Sequence, residues 1–307
     1  VLFYASKEHM RLTHKNIRFF LSVQSLIALY AIAQFFKIDP LVEYLNYTKG
    51  SYATIGNQNF LASWTLLILV IAVGFYMKYR KHIYVIFPAL FFGALLASNT
   101  RGAWLALVVV GFASLYFLRF KETRRYHIAA FCSFLLVLLT MNFLSESKIQ
   151  KRTKTIKSEI NINNEWAGSG RALIWKMSCD IIKEHPFFGA GPENLKEALK
   201  QTKNKRSHVY GKLTGHTVDK AHNDFLHIAA VSGLPALVLY LLFIALIFKE
   251  NISSIMRLST KSVIAFAVLA YAIQSLFNIS VIAVAPLFWV LLGLFASQNN
   301  EMWSQET

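Results

Sequence analysis

Charge is scarce in this chain, and negative charge is scarcest. Asp, Glu, Lys and Arg make up only 16% of its 307 residues, where a soluble domain carries about a quarter. Acidic residues number 16 against 32 Lys plus Arg, giving a formal charge of +16 and a pI near 9.8. Cysteine is almost missing: Cys132 lies in an apolar run and Cys179 in a polar stretch, which excludes a disulfide-stapled secreted scaffold. No CxxC, HExxH or DxD spacing occurs, so no catalytic metal is expected. Phosphate-loop and GxSxG patterns are missing as well, and no cofactor is indicated. What the chain has instead is apolar surface. Its 55% hydrophobic content and mean hydropathy of +0.42 exclude intrinsic disorder and an ordinary cytosolic enzyme. In so apolar a chain, the basic excess points to loops that anchor a membrane protein rather than to nucleic acid.

A bilayer core of about 30 Å takes about 20 apolar residues per helix. Candidate spans lie near 17–36, 59–77, 83–98, 102–118, 127–144, 225–248, 262–280 and 283–297. None alternates as a membrane strand does. The fold expected is all-α, a polytopic membrane helical bundle of about eight spans. Five spans fill 1–144, three fill 224–307, and a long, partly helical extracytoplasmic loop occupies 145–223. Gly93, Ala94, Gly111 and Ala113 suit close packing between membrane helices. The first basic stretch with its span lacks a small-residue cleavage site, so it reads as a membrane helix rather than a signal peptide.

Orientation follows from Lys and Arg in the short loops. Lys7, Arg11, Lys15 and Arg18 precede the first span, and Lys78, Arg80 and Lys81 follow the second. Arg119, Lys121, Arg124 and Arg125 precede the fifth, and Lys249, Arg257 and Lys261 follow the sixth. The opposite short loops hold only Lys37, Lys49 and Arg101. Fourteen against three places the N-terminus and the basic loops in the cytoplasm. The 145–223 loop, with 15 basic and eight acidic residues, escapes the rule by its length and falls outside by alternation.

Within that loop, 145–165 is polar and Lys-rich without a core pattern. Leu173, Ile174, Met177, Ile181 and Ile182 are spaced as the apolar face of a helix over 171–184, led by Gly168-Ser169-Gly170 and ended by His185-Pro186. Gly189 and Gly191 make a turn, and Pro192 opens a second helix over 192–201. Residues 202–220 read as a flexible basic flap. The two helices are expected to lie on the membrane surface.

Polar residues gather where spans meet the outer face. Asn57 and Asn59 open the second span, Asn99 and Arg101 sit in a tight turn between the third and fourth, and His222, Asn223 and Asp224 open the sixth. Arg101 either snorkels to headgroups or binds an anion. As the only basic residue in a tight outer turn, it is better explained as an anion ligand. Arg171 opens a helix, where a cation opposes the dipole. It either pairs with a residue such as Glu165 or holds an anion at the helix N-terminus, and two guanidinium groups suit a diphosphate. His222 is either structural or a base for a sugar hydroxyl, with Asp224 as a candidate to orient the ring and His227 as a second imidazole.

Four segments in order carry a resemblance: GNQNFLA at 56–62, SNTRGAWLA at 98–106, GSGRALIWKMSCDIIKEHPFFGAGPENL at 168–195 and AHNDFLHIAAVSGLPAL at 221–237. With the long loop between the last two, the chain resembles the O-antigen ligase and polymerase family of membrane glycosyltransferases over about residues 50–240. The resemblance implies an enzyme at the outer face of the cytoplasmic (inner) membrane. It would move a glycan from an undecaprenyl-diphosphate carrier to a hydroxyl on a lipid A-core, another glycan or another acceptor, without metal or nucleotide sugar. Arg101 and Arg171 would hold the diphosphate and His222 would activate the acceptor. Asn57, Asn59, Asn99, Asn223 and Asp224 would contact substrate. The partners implied are the lipid-linked donor, the acceptor and membrane lipids, with no nucleic acid. Ligase, polymerase of lipid-linked repeat units, and transporter of polyprenyl-linked sugars are the three alternatives. Polar groups gathered at one face rather than through the bilayer depth favour an enzyme over a transporter. The turn has Thr100 before Arg101 where the family more often has Ser. Family members usually carry more spans and this chain begins with Val1, so further N-terminal helices are expected.

Overall fold

Long apolar runs with few backbone breakers fold as helices through most of this computed structural model. It describes residues 1–39, 50–116, 121–146, 148–154, 170–201, 205–215, 217–256, 259–297 and 303–304. Lys49, Arg119, Glu165, Gly168, Ser169, Arg257 and much of 145–165 lie outside the described residues. In chain order the helices are α1 (Leu2–His9), α2 (His14–Phe35), α3 (Gln58–Tyr79), α4 (Ile86–Ala97), α5 (Arg101–Ser114), α6 (Lys121–Leu144) and α7 (Lys148–Lys154). Then follow α8 (Arg171–Glu184), α9 (Leu195–Gln201), α10 (Lys205–Thr214), α11 (Asp224–Ser232) and α12 (Leu234–Glu250). The last are α13 (Ile252–Met256), α14 (Thr260–Ser275) and α15 (Ala285–Ala296). They form two compact units: Val1–Gln150 with Glu250–Gln274 and Val281–Thr307, and Lys151–Lys249 with Ser275–Ser280.

In the first unit, α3 is the central helix. It is apolar all round, as a helix surrounded by others must be, and Leu61, Leu66, Ile68, Leu69, Phe75 and Tyr76 are buried. Helix α4 packs against α2, α3 and α6, and α1 lies along α15. Helices α2, α3 and α6 are each long and apolar enough to cross a membrane, and α4, α5, α14 and α15 are shorter apolar helices. Phe19 and Leu26 on α2 and Phe131, Leu136 and Phe143 on α6 face outward. An exterior this apolar marks an integral membrane protein. Gly93 allows the expected close approach, since a Cβ there would lie 3.0 Å from Ile32 Cδ1. Gly111 does not: nothing lies within 4 Å of where its Cβ would be.

In the second unit, Leu173, Ile174, Met177 and Ile181 of α8 pack with Leu195, Ala198 and Leu199 of α9 and Ala230 and Val231 of α11. The helix expected over 171–184 forms with those bounds. The second begins at Leu195 rather than Pro192, because the Asn194 side chain donates to Ala190 O at 2.8 Å and holds 190–194 as a turn. Part of the expected flap is helical: α10 is fixed by Arg206 bonding to Asp180 at 2.7 Å and by Tyr210 packing on the core.

The stretch 225–248 is two helices rather than one continuous span. Gly233, at φ 89°, separates α11 from α12. The loop 186–191 docks at this break: Ala190 N–H donates to Ala230 O at 2.8 Å, Gly191 N–H to Val231 O at 2.9 Å, and Leu234 N–H to Pro186 O at 2.8 Å. Backbone groups freed by a broken membrane helix need such partners.

Candidate functional site

The first polar cluster lies where the N-termini of α3 and α5 meet, within the first unit. Asn57 caps α3, its Oδ1 accepting from Asn59 N–H at 2.8 Å. Thr100 precedes α5 and turns its hydroxyl to α3, with Gln58 O at 3.3 Å and Asn59 Oδ1 at 3.4 Å. Asn99 takes a left-handed conformation at φ 57°, which Asn tolerates better than most residues. That bend brings Arg101, half-buried, to the first position of α5. Two helix N-termini and a guanidinium together favour an anion. The sequence-predicted residues Asn57, Asn59, Asn99 and Arg101 are thus gathered in one place.

The chain at 50–56 underlies this cluster, and sequence reasoning missed how it is held. A Cβ on Gly50 would lie 2.5 Å from Ser98 O and 2.7 Å from Gln58 Oε1, so only glycine passes there. Ser51 N–H donates to Ala97 O at 2.9 Å. Buried Gln34 of α2 accepts Tyr52 N–H at 3.2 Å and Ala53 N–H at 2.8 Å, and donates to Asp39 at 3.1 Å. The available signal was Gln34, one of two glutamines in the apolar first span.

The second cluster belongs to the second unit. Gly170, at φ 82°, turns the chain into α8 and puts Arg171 at its first position. Asn223 caps α11, accepting Leu226 N–H at 3.1 Å. Capping accounts for the side-chain oxygens of both Asn57 and Asn223. His222, just before that cap, is held at φ 50°, a conformation that persists only where surrounding structure enforces it. Burial holds the His222 imidazole below its ordinary pKa, the positive charge of Arg171 lowers it further, and Asp219 pulls the other way. The ring is therefore neutral at pH 7 and available to accept a proton.

Asp224 does not orient that ring. Its buried carboxylate accepts Ser280 N–H at 3.2 Å, and no hydrogen bond joins it to His222 among the described residues. The acidic group whose charge reaches His222 is Asp219, three residues before it on the chain. His227 lies one turn into α11, with its Nδ1 buried and unbonded among the described residues. Arg171, His222, Asn223 and Asp224 thus share one unit, while Asn57, Asn59, Asn99 and Arg101 share the other.

No curated protein matches this chain significantly. A family model described as O-antigen ligase matches residues 83–241, a span that holds Arg101, Arg171 and His222, and the chain belongs to the O-antigen ligase family.

Proposed function

We propose that this protein transfers a glycan from an undecaprenyl-diphosphate carrier to an acceptor hydroxyl at the outer face of the cytoplasmic membrane. The observation that carries this reading is His222, kept neutral by burial and by the Arg171 charge at the start of α8. A neutral imidazole beside a cation suits a reaction that takes a proton from one partner while negative charge grows on another. Breaking the anomeric C–O bond leaves the electron pair on the carrier diphosphate. Arg171, at a helix N-terminus, stabilises that charge, and Arg101 at the α3 and α5 N-termini offers a second anion-binding element. His222 takes the acceptor proton as the hydroxyl oxygen bonds to the anomeric carbon. Attack opposite the leaving group inverts that centre. The guanidinium groups supply the charge neutralisation that metal ions supply in other transferases.

Reconstitution in vesicles with a lipid-linked glycan tests this. Wild type is expected to transfer the glycan to an added acceptor. His222→Ala is expected to abolish transfer, and Arg171→Ala or Arg101→Ala to lower it by about a hundredfold or more, with membrane insertion kept. Full turnover by His222→Ala would sink the base assignment. Translocation of the donor without transfer would make the protein a transporter. Extension of a repeat unit in preference to capping a lipid A-core would make it a polymerase.

A further inference from the structure

At the other end of the first unit from Arg101, four helices line a partly open apolar cavity of about 120 Å³. Its lining includes Val73 of α3, Gly111 and Ser114 of α5, His127 of α6, and Ser262 of α14. The size is comparable with the about 150 Å³ apolar cavity that takes up benzene, enough for a segment of hydrocarbon chain. Gly111 faces open space there, so the helices leave room rather than close upon each other.

The position of this cavity identifies its occupant. Lys121, Arg124 and Arg125 begin α6, and Lys78, Arg80 and Lys81 end α3 and follow it. These two ends are held side by side, since Arg80 pairs with Glu122 and the Tyr126 hydroxyl donates to Arg80 O at 3.0 Å. His127 follows Arg124 by about 4.5 Å along the axis and Phe134 by about 15 Å, at 1.5 Å per residue. Met77 and Leu69 stand in much the same relation to Arg80. The space thus starts one turn inside a basic rim and runs toward mid-bilayer, the dimensions of a headgroup followed by the first part of an acyl chain. The polar side chains along it are engaged within the protein, Ser114 donating to Gly111 O at 2.7 Å, Ser262 to Ile255 O at 2.8 Å and His127 Nδ1–H to Thr123 O at 3.0 Å, which leaves an apolar surface suited to a hydrocarbon chain.

We propose that this cavity binds an acyl chain of an anionic glycerophospholipid, with its headgroup phosphate on the basic rim of α3 and α6. Basic pockets between membrane helices recognise anionic headgroups in this way. The site lies at the opposite ends of α3 and α5 from Asn57 and Arg101, and the inference does not depend on the transfer reaction.

Native mass spectrometry of the full chain, delipidated in detergent and titrated with phosphatidylglycerol or phosphatidylcholine, tests it. Wild type is expected to hold phosphatidylglycerol about fivefold or more tightly. Gly111→Leu, which fills open space, is expected to weaken phosphatidylglycerol binding about tenfold. Lys121→Gln with Arg124→Gln, at exposed positions that do not threaten folding, is expected to erase the preference for the anionic lipid. Unchanged binding by folded Gly111→Leu, or an unchanged preference in the double variant, overturns the proposal. Undecaprenyl phosphate binding more tightly than phosphatidylglycerol, and lost in Gly111→Leu, overturns it too by making the cavity a polyprenyl site.

Discussion

Gly233 lies directly against Phe187: a Cβ on the glycine would be 2.1 Å from the Phe187 carbonyl oxygen. The contact is reciprocal, since a Cβ on Gly189 would be 2.3 Å from the carbonyl carbon of Val231. Two backbones therefore touch where α11 gives way to α12, each through a glycine at positive φ. Replacing Gly233 by Ala imposes a strained conformation, costing about 1–3 kcal/mol, and drives a methyl group into backbone. Gly233→Ala is expected to lower Tm by several degrees in detergent. Gly111→Ala, with nothing within 4 Å, is expected to gain about 0.5–1 kcal/mol from helix propensity. Equal Tm values for the two variants would show that the interlock contributes nothing.

Arg171 and His222 make a pH-dependent prediction. With His222 as the base of the proposed reaction, transfer needs the neutral imidazole, so activity is expected to fall as pH drops through its lowered pKa. Removing the Arg171 charge relieves repulsion of the protonated ring and raises that pKa. Arg171→Gln is therefore expected to move the acid limb of kcat/KM to higher pH while lowering the maximum. Asp219→Asn removes an attraction and is expected to shift the limb to lower pH. Acid limbs that coincide in wild type and both variants would exclude His222 as the titrating base.

These residues show what was legible in the sequence. The bounds of α8 were, because its apolar spacing and the flanking Gly170 and His185-Pro186 are local signals. The break at Gly233 had a local signal that went unread, Gly233 followed by Pro235, whereas the loop that docks on it lies more than 40 residues earlier in the chain and was not legible. Asp224 looked like the orienting carboxylate from nearness in sequence alone. Helix geometry turned it to Ser280 and left Asp219 as the charge felt by His222. Gly111 read as a packing residue, yet a small side chain only permits close approach and does not bring a neighbour. The gathering of Asn57, Asn59, Asn99 and Arg101 was foreshadowed, since all four fall at span ends on one predicted face.

Gln34 is expected to act as a positioning residue for 50–56. Gln34→Leu keeps the bulk of the side chain but strands Tyr52 N–H and Ala53 N–H, which its Oε1 accepts. A buried unsatisfied donor costs about 1–3 kcal/mol. Gln34→Leu should therefore lower Tm and speed amide exchange at Tyr52 and Ala53. Gln34→Glu retains the acceptor but sets a carboxylate against Asp39, to which Gln34 donates, so Gln34→Glu combined with Asp39→Asn should preserve slower exchange at both amides. Identical exchange in wild type and Gln34→Leu would remove this role.

Ser63 and Gln274 join α3 to α14 inside the apolar bundle, the Ser63 hydroxyl donating to Gln274 Oε1 at 2.6 Å. Both side chains are buried, and Gln274 Nε2 has no partner among the described residues. A hydrogen bond between membrane helices contributes about 0.6 kcal/mol on average, because the separated helices also find partners. Ser63→Ala leaves a buried acceptor without its donor, while Gln274→Leu removes the acceptor together with its idle amide. Gln274→Leu is therefore expected to cost less than Ser63→Ala. The double variant should be more stable than the sum of the single effects predicts. Unfolding in mixed micelles across the four-protein cycle measures that difference. A coupling energy within about 0.3 kcal/mol of zero would show that the two side chains act independently, and that α3 and α14 are joined by apolar packing such as Val263 against Gly74.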